Sequence, residues 1–254
     1  MSDFATIAAA ASLAPPPPDL LAGASLFLDF DGTLVEIAPR PDAVAVDARL
    51  KRLMTALAQR LDGRIAIVSG RGAAEIDALF DGAAFPIGGS HGAELFGVEG
   101  AVAPERPERL DAVLERLRAF AVARPGVLVE AKPLGAGLHY RGAPDAEAES
   151  RALAEELAET SGLTLQEGKM VFELRAPGDK GRAIDALMAL PVFAGTRPVF
   201  IGDDLTDEPG FRAVRALGGA GVLVGAPRAT DAGYRLPDVA GVLAWLETFA
   251  GATE

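Results

Sequence analysis

Short hydrophobic runs that recur between helix-period segments constrain this chain more than any other feature of its sequence. Leu26 to Phe30, Arg64 to Val68, Pro198 to Ile201 and Gly221 to Val224 read as strands. Their near-continuous apolar character is that of strands covered on both faces. After the first, Leu50, Leu53, Met54, Leu57 and Leu61 follow the i, i+3, i+4, i+7, i+11 spacing of a core-facing helix. A shorter helix carries Ile76, Leu79 and Phe80, and a later one carries Ile184, Leu187 and Met188. Strand and helix in alternation predict an α/β fold, a Rossmann-like doubly wound parallel sheet. The stretch Gly88 to Gly100 is too glycine-dense for a helix and suits a hairpin or loop.

The middle of the chain has a different rhythm. A helix through Leu110, Val113, Leu114 and Leu117 precedes strand candidates Val127 to Lys132 and Leu138 to Arg141. A helix through Leu153 and Leu157 then precedes Leu163 to Glu167 and Met170 to Arg175. Helix, strand, strand, repeated, predicts a small sheet covered by two helices. We therefore expect a smaller α+β cap domain over residues 103–177, inserted into a core formed by residues 25–102 and 178–254. Residues 1–24, alanine-rich and then Pro15 to Pro18, are expected to form a mobile tail.

Three of the core strands end in polar clusters. Asp29 and Asp31 close the first, Ser69 follows the second, and Asp203 and Asp204 follow Ile201, with Asp207 one helical turn on. Ligands of open α/β sheets bind outside the carboxyl ends of the strands, so these clusters are expected to share one crevice. Asp29 and Asp31 are two positions apart and point the same way while the chain stays extended. Carboxylates so close repel by several kcal/mol at an effective dielectric of about 20, and a cation resolves that. The chain has Cys 0 and His 2, which removes thiolate sites and a three-histidine zinc centre. An all-oxygen site with places for water and phosphate is what magnesium prefers. On the same edge, the backbone N–H groups of Gly32 and Thr33, the Thr33 and Ser69 hydroxyls and Lys180 are candidate phosphate ligands. Together they describe phosphoryl transfer through an aspartyl-phosphate.

The run Asp29-Phe30-Asp31-Gly32-Thr33, Ser69-Gly70-Arg71, Lys180 and Gly202-Asp203-Asp204-Leu205-Thr206-Asp207-Glu208 resembles the four motifs of the haloacid dehalogenase superfamily, in order. Within it, Gly89-Ser90-His91-Gly92-Ala93-Glu94, Glu130-Ala131-Lys132, Leu138-His139-Tyr140-Arg141, Glu167-Gly168-Lys169-Met170 with Glu173 and Arg175, and Asp179-Lys180-Gly181 resemble the trehalose-6-phosphate phosphatases. The resemblance implies hydrolysis of that sugar phosphate to trehalose and phosphate. It makes Asp29 the nucleophile and Asp31 the acid and then base. Mg2+ would be held by the Asp29 carboxylate, the Asp31 backbone carbonyl and Asp203, with Asp204 or Asp207 behind them or acting through water. Ser69 and Lys180 would bind the phosphoryl oxygens. Arg71, His91, Glu130, Lys132, His139, Arg141, Glu167, Lys169 and Glu173 would bind substrate, and closure of the cap would exclude water.

Plainer readings stand beside these. Asp204, Asp207 and Glu208 also suit a helix's first turn. Arg71 can be a surface ion pair, and the two histidines can be packed or hydrogen-bonded core groups. Another sugar-phosphate phosphatase, a phosphomutase or a non-catalytic sugar-phosphate sensor would share the core motifs. Gly88-Gly89-Ser90-His91-Gly92 satisfies a serine hydrolase elbow, but no convincing helix follows it. The EF-hand template fails at Leu205 and Glu208, and Gly168-Lys169-Met170 is not a P-loop. A net charge of -12 argues against nucleic acid as a partner. The sequence has no run long and apolar enough to span a membrane, and Asp3 stands where a secretory signal carries a basic residue. The expected partner is a small sugar phosphate, in the cytoplasm.

Overall fold

A computed structural model of the chain describes residues 13–37, 44–98 and 105–251. It divides into two compact units, Met1–Val102 with Asp179–Glu254, and Ala103–Gly178.

The first unit is built on a sheet with strands β1 (Ala24–Leu28), β2 (Ile65–Val68), β3 (Ile87–Gly89), β4 (Glu94–Phe96), β9 (Arg197–Gly202), β10 (Ala220–Val224) and β11 (Tyr234–Leu236). Their order is β11-β10-β9-β1-β2-β3-β4. All neighbours are parallel except β3 and β4, which form an antiparallel hairpin at the edge. This hairpin is where the glycine-dense stretch goes. β11 was not marked by periodicity, because at three residues it is too short to show one.

Alternation along the buried strands sends residues to two opposite cores. Leu26, Leu28, Ile65, Ile67, Val199 and Ile201 join one cluster, while Phe27, Ala66, Val68 and Phe200 join the other. Helices α1 (Ala48–Arg60), α2 (Ala73–Leu79) and α7 (Val239–Ala250) bury residues in the first cluster, and α5 (Lys180–Met188) and α6 (Glu208–Ala216) in the second. Asp47, Asp179 and Asp238 start α1, α5 and α7, their carboxylates accepting from the N–H groups of Leu50, Arg182 and Gly241. No described helix is long and apolar enough to cross a membrane.

Part of the expected tail is held in place. Residues 1–12 lie outside the described residues, but Leu21 is buried in the first cluster, and the Ala14 carbonyl accepts from the Arg235 N–H at 3.1 Å. Four prolines do not loosen a segment whose next apolar side chain is packed.

The second unit runs α3 (Leu110–Ala123), β5 (Leu128–Lys132), β6 (Gly135–His139), α4 (Glu147–Ser161), β7 (Thr164–Gly168) and β8 (Val171–Arg175). Its antiparallel sheet has the order β5-β6-β8-β7. Ala136, Leu138, Phe172 and Leu174 on one face pack with Leu110, Val113, Leu114 and Leu117 of α3 and Ala154 and Leu157 of α4. β6 begins at Gly135, earlier than expected. Gly135 and Gly137 carry no side chains that the sequence pattern can register, yet they pair fully with β5 and β8.

Candidate active site

Chain order reverses between β1 and β9. β2 and β3 succeed β1 on one side, and β10 and β11 succeed β9 on the other. The crevice beyond the carboxyl ends of those two strands is where this class of sheet binds ligands. Asp29 follows β1, its N–H donating to the Ile201 carbonyl of β9 at 2.9 Å, and Asp203 follows β9. Asp207 lies in the 3-10 turn Leu205–Asp207.

Oxygens of Asp29, Asp203 and Asp207 lie within 4.8 Å of one another. Against them stands one buried cation. Lys180 Nζ donates to Asp29 Oδ1 at 2.6 Å and to Asp207 Oδ1 at 2.5 Å. Lys180 is the first residue of α5, where the positive end of the helix dipole disfavours an ammonium. Burial also works against its charge, but Asp207 and Asp29 overcome both and raise its pKa above the ordinary value.

The carboxylates respond in the opposite sense. Burial pushes Asp29 well above the usual carboxylate range; Lys180 opposes this, and the charges of Asp207 and Asp203 add to it. Asp203 is pushed up to about 6 by burial and by Asp207, partly offset by Asp29 and Lys180. Three carboxylates around one ammonium leave two negative charges uncompensated, matching a divalent cation. Asp203 Oδ1 is buried with no hydrogen-bond partner, whereas Asp207 has none to spare. Its Oδ1 is held by Lys180, and its Oδ2 accepts from the N–H groups of Asp203 and Asp204 at 2.8 and 2.9 Å. The oxygen-only donor set therefore fits a hard cation on Asp29 and Asp203, with Asp207 behind them. Asp204 caps the turn by accepting from the Leu205 N–H at 2.6 Å.

Gly32 is shaped by the same cluster. Its φ is +81°, and a Cβ there would sit 2.2 Å from Asp203 Oδ2. Its expected role as a phosphate donor is not what its backbone does here. The Gly32 N–H donates to the Val35 carbonyl at 2.7 Å and the Thr33 N–H to Phe30 at 3.3 Å, closing a tight turn. The Thr33 hydroxyl is different: it is buried with no hydrogen-bond partner. Ser69 is buried at the end of β2, its Oγ accepting from the Arg71 N–H at 3.1 Å.

Asp31 turns away from the acidic cluster. Arg71 grips it with two bonds, Nε to Oδ2 at 2.6 Å and Nη2 to Oδ1 at 2.9 Å, while also pairing with Glu75 and lying over the Phe30 ring. Arg71 thus forms an ion pair, with a partner on the phosphate edge. His91 is buried, in the left-handed region at φ +55°, with its ring against Gly70. The Ser90 hydroxyl donates to Glu94 at 2.6 Å, a contact that leaves no place for the serine hydrolase reading.

On the second unit, strand register places Glu130, Lys132, His139 and Glu173 on one face of the sheet, the face opposite the helices. Lys132 pairs with Glu173 at 2.8 Å, and Glu130 with His139 at 2.9 Å. Glu167 does not join them. It pairs in register with buried Phe172, on the helix-covered face, and its carboxylate takes Arg151 of α4. The spacing of two that aligns strand neighbours misses it by one residue. Lys169 and Arg141 are exposed in the connections that follow β7 and β6.

The family model for trehalose-phosphatase matches residues 27–240. The chain belongs to the trehalose-phosphatase family. It is 40% identical over 243 residues to the trehalose-6-phosphate phosphatase of Escherichia coli, covering 93% of this chain and 90% of that protein. It is 44% identical over 210 residues to a probable trehalose-phosphate phosphatase of Sinorhizobium fredii, covering 80% and 78%. The solved structure of a trehalose-6-phosphate phosphatase related protein superimposes with a TM-score of 0.75 at 28% identity, covering 90% of this chain and 98% of that one. As a member of the trehalose-phosphatase family the chain is a phosphatase.

Sequence reasoning missed Arg228 in this family member. Arg228 pairs with Glu208 and donates from Nη2 to the Asp204 carbonyl at 2.7 Å and the Asp203 carbonyl at 3.4 Å. It sits among Gly225, Ala226 and Pro227, where nothing in the pattern marks it.

Proposed function

We propose that the protein hydrolyses trehalose 6-phosphate to trehalose and phosphate, with Mg2+ as its cation and an aspartyl-phosphate on Asp29. The observation that carries this reading is the trio Asp29, Asp203 and Asp207, the first and last buried and Asp203 half-buried, with the buried ammonium of Lys180 on Asp29 and Asp207. Asp29, Asp203 and the Asp31 backbone carbonyl would hold the cation. When bound, it supplies positive charge against the phosphoryl oxygens.

Lys180 grips Asp29 Oδ1, so the rotation of the nucleophilic carboxylate is fixed before substrate arrives. An Asp29 oxygen bonds to phosphorus as the bond from phosphorus to the sugar oxygen breaks. Asp31 gives its proton to that oxygen, which would otherwise leave as a poor alkoxide. In the second half, water attacks phosphorus, Asp31 takes the water's proton, and the bond from Asp29 to phosphorus breaks to release phosphate. Both Asp31 oxygens accept from Arg71, so delivering a proton requires that pair to open. Ser69 and Thr33, whose buried hydroxyl has no hydrogen-bond partner, would hold phosphoryl oxygens. The half-exposed polar face bearing Glu130, Lys132, His139 and Glu173 would recognise the sugar, its charged groups suiting hydroxyl partners.

Phosphate release from trehalose 6-phosphate, sucrose phosphate and glucose 6-phosphate, each with Mg2+ and with chelator, tests the reading. Mg2+-dependent preference for trehalose 6-phosphate is expected, and Asp29→Asn is expected to stay folded and lose turnover by at least about a thousandfold. Preference for another sugar phosphate discards the substrate assignment. Near-normal turnover by Asp29→Asn discards the nucleophile.

A further inference from the structure

The dipeptide Asp203-Asp204 lies just past the last residue of β9, where the sheet no longer holds it. Its backbone is nonetheless tied on both sides. The two N–H groups donate to Asp207 Oδ2, and Asp207 is in turn held by Lys180. The two carbonyls accept from Arg228 Nη2, and Arg228 is in turn held by Glu208. The second anchor is itself anchored, because the other Glu208 oxygen accepts from the Asp231 N–H at 2.8 Å. Arg228 arrives from the nine-residue connection 225–233 between β10 and β11, a segment with no ladder of its own. Its side chain and that of Glu208 are only 22% and 14% exposed, so the pair is shielded and rigid enough to fix peptide orientation.

We propose that Arg228, backed by Glu208, is a positioning residue for the cation site: it orients the peptide planes on either side of Asp204, the first of which leaves Asp203, and so helps to aim the Asp203 carboxylate. The pair Arg228 and Glu208 does for the carbonyls what Lys180 and Asp207 do for the N–H groups. A Lys at position 228 has a single nitrogen, and so could not hold Glu208 with one end of a planar fork while the other end holds the two carbonyls. Arg228 also lines, with Gly32 and Asp203, a cavity of about 440 Å³, so a direct contact with substrate is the competing role. The two roles separate in measurement. Groups that orient metal ligands typically affect metal affinity by about 10- to 100-fold when removed, without entering the substrate's own contacts.

This inference rests on the proposal that Asp203 holds Mg2+. The full-length protein without substrate is titrated with Mg2+, reading the rise in melting temperature, and KM for the sugar phosphate is then measured at saturating Mg2+. Arg228→Ala is expected to raise the half-saturating Mg2+ concentration at least tenfold, with Arg228→Lys intermediate and Glu208→Gln raised severalfold, and with KM within twofold of wild type. Arg212→Ala, which removes a surface partner of Asp231 on the same connection, is expected to change neither. Asp203→Asn serves as the reference: if it binds Mg2+ as wild type does, the cation assignment has failed. If Asp203→Asn loses Mg2+ while Arg228→Lys and Glu208→Gln keep wild-type affinity, or if KM alone moves, the positioning role is overturned. Should Arg228→Ala not fold, those two conservative variants decide the matter alone.

Discussion

Replacing Asp203 by Asn is expected to make the cation-free protein more stable, although the same change removes a proposed cation ligand. Asp203 titrates at about 6 against an ordinary 3.8, because burial and the neighbouring Asp207 penalise its charge. Carried through at about 1.4 kcal/mol per pH unit, this is an upper bound of roughly 3 kcal/mol stored against the ionised native state. Asp203 is only half-buried, and solvent screening trims the figure to about 1–2 kcal/mol. The sign follows from proton binding. The folded state holds this proton more tightly than the unfolded chain, so wild type without cation loses stability as pH rises from about 4 to 6 and is level above. Asn escapes that loss. For a chain of this size the difference amounts to about 2–8 °C in melting temperature at pH 7.5 in chelator. The single tryptophan, Trp245 in α7, reports unfolding of the unit that contains the site. Below pH 4 the advantage of Asn should vanish, and with Mg2+ the order should reverse, since only wild type gains a ligand. A variant no more stable than wild type at pH 7.5, or one whose advantage persists at pH 3.5, would refute the reasoning.

Two further substitutions probe the same edge. Lys180→Met leaves Asp29 and Asp207 buried without their shared cation, and a loss of about 3–5 kcal/mol is expected in urea unfolding at pH 7.5. A loss under about 1 kcal/mol would mean the carboxylates take up protons at little cost. Arg71→Ala frees Asp31 from its two-point grip. If Asp31 is the acid, kcat should change by a larger factor for an alkyl phosphate such as the sugar phosphate than for an aryl phosphate, whose leaving group needs no proton; equal changes on both would remove Arg71 from any role through Asp31.

The sequence carried the buried strands clearly, because Leu26 to Phe30 and Pro198 to Ile201 are apolar on both faces and cannot be read as anything half-solvated. It carried the second unit's first helix through Leu110, Val113, Leu114 and Leu117, all of which are buried. It placed the start of β6 three residues late, at Leu138 in place of Gly135, because glycines have no side chain to register. It lost β11, because three residues make no period. In the site, Asp29 and Asp203 converge as strand-end residues of one sheet should, and Lys180 reaches Asp29 from the start of α5. Glu167 was grouped with Glu173 on motif alone, and the pleat put it on the opposite face. Gly32 and Thr33 were expected as N–H donors, but the turn that brings the chain back to Val35 takes both groups for itself.

What the sequence could not show is how each loop of the site acquires its own basic residue. Asp31 is held by Arg71 across 40 positions, Asp207 by Lys180 across 27, and Glu208 by Arg228 across 20. None of these separations is a helical or strand period, so no pattern within a segment points from one partner to the other. The three pairs differ in what the acid is left free to do. Lys180 occupies one Asp207 oxygen and two N–H groups occupy the other, and both Glu208 oxygens are likewise taken, so these acids serve as supports. Arg71 occupies both oxygens of Asp31 with side-chain nitrogens and is shared with Glu75, so this pair can open without releasing a backbone segment. A proton-transferring residue needs that freedom and a cation-orienting support must lack it. The division of labour among the acids therefore follows from what their basic partners are tied to.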